Sequence, residues 1–445
     1  MKSCLRYLVA FCVGALFLVI HAFATNPLIM DQFTADPTAR VFDGKMYLYP
    51  SHDIPASPGR GRTNWFVMED YHVFSSENLA DWQDHGVIVN QTNVAWANPA
   101  AYSMWAPDCV FKNGKYYFYF PATAKDGGFQ IGVAISDQPF GPFKPQPAPI
   151  EGVHGIDPCV LIDQNGSAYL YYAMRKVFVA KLKDDLLELD SQPQVITNLP
   201  TRGLIEGPFA FERNGIYYLT YPHVQATTER LEYSTSTNPM GPFKPAGVIM
   251  DESTDGCWTV QDSVVQYHGR WYLFYHDRDL SPDFDKNRSV RADYLYFNDD
   301  GTIRKVIPTL RGVGIVDATS KIQIDRYSAI SSRGASVSFL DKTNTFAGWK
   351  TSLAGTNSWV QFDRVVFKNR HLHSLIARCV SSAGGTLEVH LDTMEGLLLG
   401  RLEIKKGSEW KTIRSKLANL PAGLHDLVVT QTGNANVDVD WISFE

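Results

Sequence analysis

One pattern occurs five times in this chain and leaves few folds open: an apolar run, a turn closed by glycine, then an aromatic-rich run. It reads ADPTARVFDGKMYLYP around Gly44, WAPDCVFKNGKYYFYFP around Gly114 and IDPCVLIDQNGSAYLYY around Gly166. It returns as IEGPFAFERNGIYYLTYP around Gly215 and TVQDSVVQYHGRWYLFYH around Gly269. Each copy has the form of a β-hairpin, two strand-forming runs joined by a tight glycine turn. Second-hairpin segments follow several copies, and two of these share the near-duplicate endings PFGPFKP and PMGPFKP. The glycines lie 70, 52, 49 and 54 residues apart, at or above the length of a propeller blade. No long amphipathic helix interrupts the series. The expected fold is all-β, with five four-stranded sheets closed around an axis as a five-bladed β-propeller. A sandwich would accommodate the strands but would not explain why the copies match.

Counting back eight or nine residues from each glycine lands on Asp36, Trp105, Asp157, Glu206 and Gln261. In a closed ring, equivalent positions converge on the axis, so three carboxylates from distant sequence meet in one pocket. A single Asp-Pro is ordinarily a turn or strand-entry residue. Three acids in matching slots repel one another, and that arrangement points to catalysis. The first gap of 70 residues holds two insertions, SHDIPASPGRGRTNWFVMED and NQTNVAWANPAAYSMW, whose composition suits pocket walls.

After the closing segment NRSVRADYLYFNDDGTIRKVIPTLRGVG the composition shifts to short alternating strands rich in Ser, Thr and Gly. Residues 25–320 are therefore assigned to the propeller and 321–445 to a separate β-sandwich of jelly-roll type. The first 24 residues carry Lys2 and Arg6, an apolar run from Tyr7 to Ile20, and Ala22-Phe23-Ala24. That layout is a secretory signal peptide, which predicts a secreted or periplasmic protein with no membrane insertion after cleavage. A net charge of −6 gives no basic footprint for nucleic acid. The remaining cysteines, Cys109, Cys159, Cys257 and Cys379, match no zinc spacing and read as buried free thiols, with one bridge left open. A monomer is expected.

The acids in this order on this repeat, with WAPD, YLFYHD and KNRSVRAD, resemble glycoside hydrolase family 43 over roughly residues 27–320. The C-terminal segments WVQFDRVVF, ARCVSSAGGTLEVHLD, GSEWKTI, LPAGLHDLVV and VDWISFE resemble a carbohydrate-binding module of family 6. The resemblance implies an inverting glycosidase acting on plant cell-wall polysaccharide. Release of α-L-arabinofuranose from arabinoxylan or arabinan is the preferred activity. A β-xylosidase or other exo-glycosidase of the same family and a non-catalytic glycan-binding protein are the alternatives.

By resemblance Asp36 is the general base, Glu206 the general acid, and Asp157 the third acid that holds Glu206 and raises its pKa. Inversion sets base and acid about 6.5–9.5 Å apart to admit a water. Trp105 and Gln261 become sugar-facing wall residues, and His276 and Arg288 join them, with Arg288 placed to keep Asp36 ionised and Arg291 its competitor. Many relatives carry histidine at the slot of Gln261, where it can hold a central calcium. Gln is a poorer ligand, so no metal site and no required cofactor are assigned. A structural calcium remains compatible, with Asp262 as its alternative ligand. In the second domain Trp349 and Trp410 are expected to stack on sugar, with Asp438 in place of the usual Asn. Trp359 and Trp441 are assigned to the core.

Overall fold

The protein, described here from a computed structural model, is defined over residues 25–445 apart from 204, 255, 369–370 and 419. The expected signal peptide lies outside the described residues. Blade I comprises Phe33–Phe42, Lys45–Asp53, Asp70–Ser76 and Gln83–Asn90. Blade II comprises Asp108–Lys112, Lys115–Thr123, Phe129–Ser136 and Lys144–Pro145. Blade III comprises Ile156–Ile162, Ala168–Ala173, Val177–Leu182 and Gln194–Val195. Blade IV comprises Phe209–Arg213, Ile216–Val224, Glu229–Ser236 and Lys244–Met250. Each is an antiparallel meander, as five consecutive hairpin units require.

Four of the five repeat glycines close two-residue turns whose partners also take positive φ: Asp43 with Gly44, Asn113 with Gly114, Asn214 with Gly215, and His268 with Gly269. That backbone matches the twist of the flanking strands, and only small or locally hydrogen-bonding residues adopt it cheaply. Around Gly166 the connection is longer, because Asp163 to Ser167 separates the two strands.

Aromatic residues do more than fill the blades. Tyr49 donates its hydroxyl to Pro139 O, Tyr119 to Leu186 O, Tyr171 to Pro239 O, and Tyr218 to Gly301 O. Tyr267 completes the circle by donating to Gly44 O. A buried phenol needs an acceptor, so each tyrosine stitches its blade to the next while its ring packs in the core. Two of these acceptors, Pro139 and Pro239, begin the duplicated PFGPF and PMGPF segments.

Blade V departs from expectation. Among the described residues it has three strands, Ser263–Tyr267, Arg270–Asp277 and Ser289–Leu295. Residues 26–28, just ahead of blade I, take the outer position: Leu28 N–H bonds to Val290 O at 2.8 Å, and Asn26 N–H bonds to Leu310 O at 3.0 Å. The Asn26 side chain also accepts the Ala292 N–H at 2.8 Å. The ring is therefore closed by its two ends.

The second domain packs two sheets around an apolar core that includes Phe362, Val389, Val429 and Phe444. The boundary expected at residue 320 moves earlier, because Val316–Asp317 already pairs with Val365 and Val366 of the sandwich. All four described cysteines are buried free thiols.

Candidate active site

Asp36 and Asp157 reach the axis by the same local device. In blade I, Ala35 pairs with Ser51 and Thr38 with Tyr49, so Asp36 and Pro37 oppose one residue. In blade III, Ile156 pairs with Ala173 and Cys159 with Tyr171, which leaves Asp157 and Pro158 in the same position. Such a bulge takes a residue out of the ladder and re-aims its side chain. Both aspartates adopt left-handed backbone, φ 44 and φ 56. Asp tolerates that region better than most residues, and the following proline has no N–H to leave unpaired.

All five slots counted from the repeat line one pocket, one residue per blade: Asp36, Trp105, Asp157, Glu206 and Gln261. The first insertion supplies Trp65, Phe66 and Met68 to its wall. The second contributes Trp105 at its end, while Trp96 turns away and stacks on Phe120 at 6.1 Å.

Asp36 is held as an ionised carboxylate. Arg288 grips it with two bonds, Nη1 to Oδ1 at 2.8 Å and Nη2 to Oδ2 at 3.1 Å, and the Ser51 hydroxyl donates to Oδ2 at 2.7 Å. Burial alone would raise this carboxyl, but the Arg288 charge and these hydrogen bonds outweigh it and hold the pKa below the ordinary value. Arg288 is fixed from behind by Asp53, whose oxygens accept from Nε and Nη2 at 2.9 Å each. Arg291 pairs with Asp279 instead, which settles the choice between the two arginines.

His276 is corrected from a substrate contact to a prop. Its side chain is closed to solvent. Its Nδ1 accepts the Asp36 backbone N–H at 3.0 Å and its Nε2–H donates to Thr259 O at 2.9 Å. Burial, then the Arg288 charge, lower its pKa to about 3, so the ring is neutral. A neutral imidazole can accept the N–H that the bulge leaves unpaired.

The remaining acids form a second group. Asp157 Oδ2 accepts the Gly207 N–H at 2.9 Å, which ties it to the residue following Glu206. Gly207 has φ +51, and a Cβ there would meet Pro222 Cγ at 2.9 Å and Gln261 Cδ at 3.1 Å, so the close approach needs glycine. Burial, then the charge of Glu206, push Asp157 well above the carboxylate range, and burial raises Glu206 as well. The pocket thus holds one acid kept ionised and others pushed toward the protonated form. A further acid, Glu229, lines the pocket beside Glu206 and was not among the sequence candidates.

Asp262, next to Gln261, is 1% exposed, and neither of its oxygens has a tight partner among the described residues. Its oxygens suit a hard cation such as calcium. His52, Asp70 and His72 also bring ligand atoms within 4.8 Å of one another. His52 is bonded to Asp70 at 2.7 Å, and His72 to Asp84 at 3.0 Å.

In the sandwich the expected binding residues are dispersed. Trp349 is corrected from a stacking platform to a packed residue: it is 8% exposed, lies against Phe339, and is covered by the Arg326 guanidinium at 3.7 Å. Asp438 is engaged by Lys350 and by Ser352 Oγ, the latter its partner across the ladder. Trp410 is half-buried beside Arg378 at 5.0 Å. Trp359 and Trp441 are corrected in the other direction. Val360 and Ile442 point inward, so alternation leaves both indoles half-exposed on outer faces.

Comparison with known proteins agrees with this architecture. The chain is 36% identical to a xylosidase/arabinosidase 43A of Humicola insolens, over 62% of this chain and 98% of that protein. An arabinoxylan arabinofuranohydrolase of Bacillus subtilis is 28% identical over 98% of this chain and 95% of its own length. A solved β-xylosidase/α-arabinofuranosidase from a compost metagenome, in complex with xylotriose, superposes with a TM-score of 0.58 at 35% identity, over 64% of this chain and 98% of that one. The sequence model of carbohydrate binding module family 6 matches residues 329–445. That of glycosyl hydrolases family 43 matches residues 24–303, across all five blades and their convergent acids, and the chain belongs to that family as a glycoside hydrolase.

Proposed function

We propose that this enzyme releases terminal α-L-arabinofuranose from arabinoxylan or arabinan with inversion at the anomeric carbon. The observation that carries the reading is the split among the axial acids, with Asp36 held ionised by Arg288 and Glu206 raised by burial beside Asp157. In the proposed reaction the Asp36 carboxylate takes a proton from water as the water attacks the anomeric carbon. Glu206 gives its proton to the departing glycosidic oxygen as the C–O bond breaks. Arg288 and Ser51 orient Asp36. Burial, with the Asp36 charge, keeps the Glu206 proton in place, and Asp157, bonded to the Gly207 N–H, holds the adjoining backbone that carries Glu206. Trp105 and the aromatic wall face the sugar, with Gln261 bonding its hydroxyls.

The preference for arabinofuranose draws support from two relatives that match this chain through both domains and are named arabinoxylan arabinofuranohydrolase, while a third such relative carries the double name xylosidase/arabinosidase. A β-xylosidase reading is favoured by a different observation: proteins matching the propeller at higher identity carry both names. Rates on p-nitrophenyl α-L-arabinofuranoside and β-D-xyloside, with an arabinoxylan and arabinan panel, separate them. Faster turnover of the xyloside overturns the arabinofuranose reading, and retention at the anomeric carbon overturns the mechanism.

The protein is further proposed to work outside the cytoplasm as a monomer, with the family 6 module holding it on insoluble plant glycan. Among the described residues no helix is long and apolar enough to cross a membrane.

Calcium at Asp262 is proposed as a stabiliser with no step in the reaction. Burial lifts this carboxyl to about 7. A folded-state pKa above the unfolded one means stability is fullest below about pH 4 and declines as pH rises through 7. In chelator the Tm is expected to fall between pH 5 and 8, with Asp262→Asn largely abolishing the decline and calcium reversing it only in the native protein. A pH slope that survives Asp262→Asn sinks the assignment.

A further inference from the structure

Glu229 opens the third strand of blade IV and is 1% exposed beneath the pocket. Its head group is fixed, since Oε2 accepts the Val260 N–H at 2.8 Å and its own backbone N–H bonds to Trp258 O at 2.9 Å. Oε1 has no hydrogen-bond partner among the described residues, and Glu206 is the carboxyl that lines the same pocket beside it and whose charge acts on it most. The nearby cation, Arg288, is engaged by Asp36 and Asp53. Two neighbouring carboxyls, one fully buried and the other half-buried in the pocket wall, do not readily ionise together. One must keep a proton and donate it to the other.

We propose that Glu229 is the neutral member of this pair, a positioning residue whose O–H bonds to the carboxylate that Glu206 becomes when it protonates the leaving oxygen. The inference rests on Glu206 being the proton donor. In each turnover the Glu206 proton moves to the glycosidic oxygen as its bond to the sugar breaks, and the proton of the attacking water moves to Asp36. Asp36 then releases that proton to solvent and Glu206 takes one up, while Glu229 keeps its own throughout. Burial, then the charge of Glu206, raise Glu229 well above the usual range, consistent with a group that stays protonated. Burial raises Glu206 too, and the hydrogen bond from Glu229 works against that rise. Without the donor, the new carboxylate on Glu206 would lose the hydrogen bond from Glu229.

The test compares Glu229→Gln, Glu229→Ala and Glu206→Gln across pH, on an activated aryl pentoside and on an oligosaccharide with a poor leaving group. Gln keeps a neutral N–H donor, so Glu229→Gln is expected to stay within about 3-fold of the native enzyme with its alkaline limb unmoved. Glu229→Ala removes the donor. Its alkaline limb should move to higher pH, and kcat on the poor leaving group should fall by on the order of 10- to 100-fold, the worth of one hydrogen bond to a charge. Glu229→Met, similar in volume, replaces it if the alanine variant does not fold. The proposal is overturned if Glu229→Gln shifts the limb as far as Glu229→Ala, which would mean that Glu229 works ionised. It is equally overturned if removing the donor leaves the limb in place. Failure of the underlying reading shows separately, as Glu206→Gln harming both substrates equally.

Discussion

Glu206→Gln is expected to lower turnover by roughly 10²- to 10⁴-fold on oligosaccharides, whose leaving alcohols need a proton. On activated aryl pentosides the same variant should lose far less, because a phenolate departs without one. Glutamine keeps the size and a polar head, so binding should be little affected and the loss should appear in kcat. Asp36→Asn makes the complementary case. Water must be activated whatever the leaving group, so both substrates should suffer alike. Arg288 and Ser51 already hold Asp36 in place, and the amide would keep part of that geometry while removing the base. The pair of variants separates the two roles by substrate dependence alone. A Glu206→Gln enzyme that slows both substrates equally would make Glu206 a sugar-positioning group, and an Asp36→Asn enzyme that spares the aryl substrate would remove Asp36 as the base.

Much of this site was legible because a repeat converts sequence position into spatial position. Counting back from five glycines placed Asp36, Asp157 and Glu206 in one pocket with no family named, and all five counted slots do line it. Positions outside that count were harder. Glu229 opens the third strand of its blade, Glu229–Ser236, whereas Arg288 sits just ahead of Ser289–Leu295, and the two lie at unequal distances from their repeat glycines, so no single count brings both out. His276 was misread because a strand-end histidine looks the same in sequence whether it faces a ligand or a bulge. Its neutral state depends on the Asp36 N–H, which a regular strand would have paired. The sandwich was misread for a different reason. Tryptophan is amphipathic, and only the register decides which face it takes. The alternation in WVQF and VDWISF places Trp359 and Trp441 outward, and that signal was present in the sequence. The burial of Trp349 under Arg326 depends on a contact between segments that no local pattern encodes.

The two domains are joined too closely for the sandwich to be removed without cost. Arg311, 1% exposed, sends Nε and Nη2 to Asp363 O at 3.1 and 2.8 Å, pairs with the Asp363 carboxylate, and lies over Phe362 at 4.3 Å. Arg364 returns across the boundary, donating to Tyr294 Oη at 2.8 Å. Phe33 of blade I meets Phe346 at 4.8 Å, and Ala80 of the same blade belongs to the apolar core of the sandwich. Hydrogen bonds to a charged group contribute about 1.5–3 kcal/mol each, and several are lost together on truncation. A stop after Gly314 is therefore expected to lower the Tm of the remaining propeller by on the order of 10 °C, given that 1 kcal/mol shifts a domain of this size by roughly 2–4 °C. Below that lowered Tm, small-substrate rates should approach those of the full chain, since none of the pocket-lining residues comes from beyond Gly314. Binding to insoluble polysaccharide should be lost at every temperature. Trp359→Ala and Trp410→Ala address that loss without the truncation, because each removes a half-exposed stacking face worth about 1 kcal/mol. A truncated propeller with an unchanged Tm would show that the Arg311 and Arg364 contacts hold orientation and not stability, and the sandwich would then be a tethered module only.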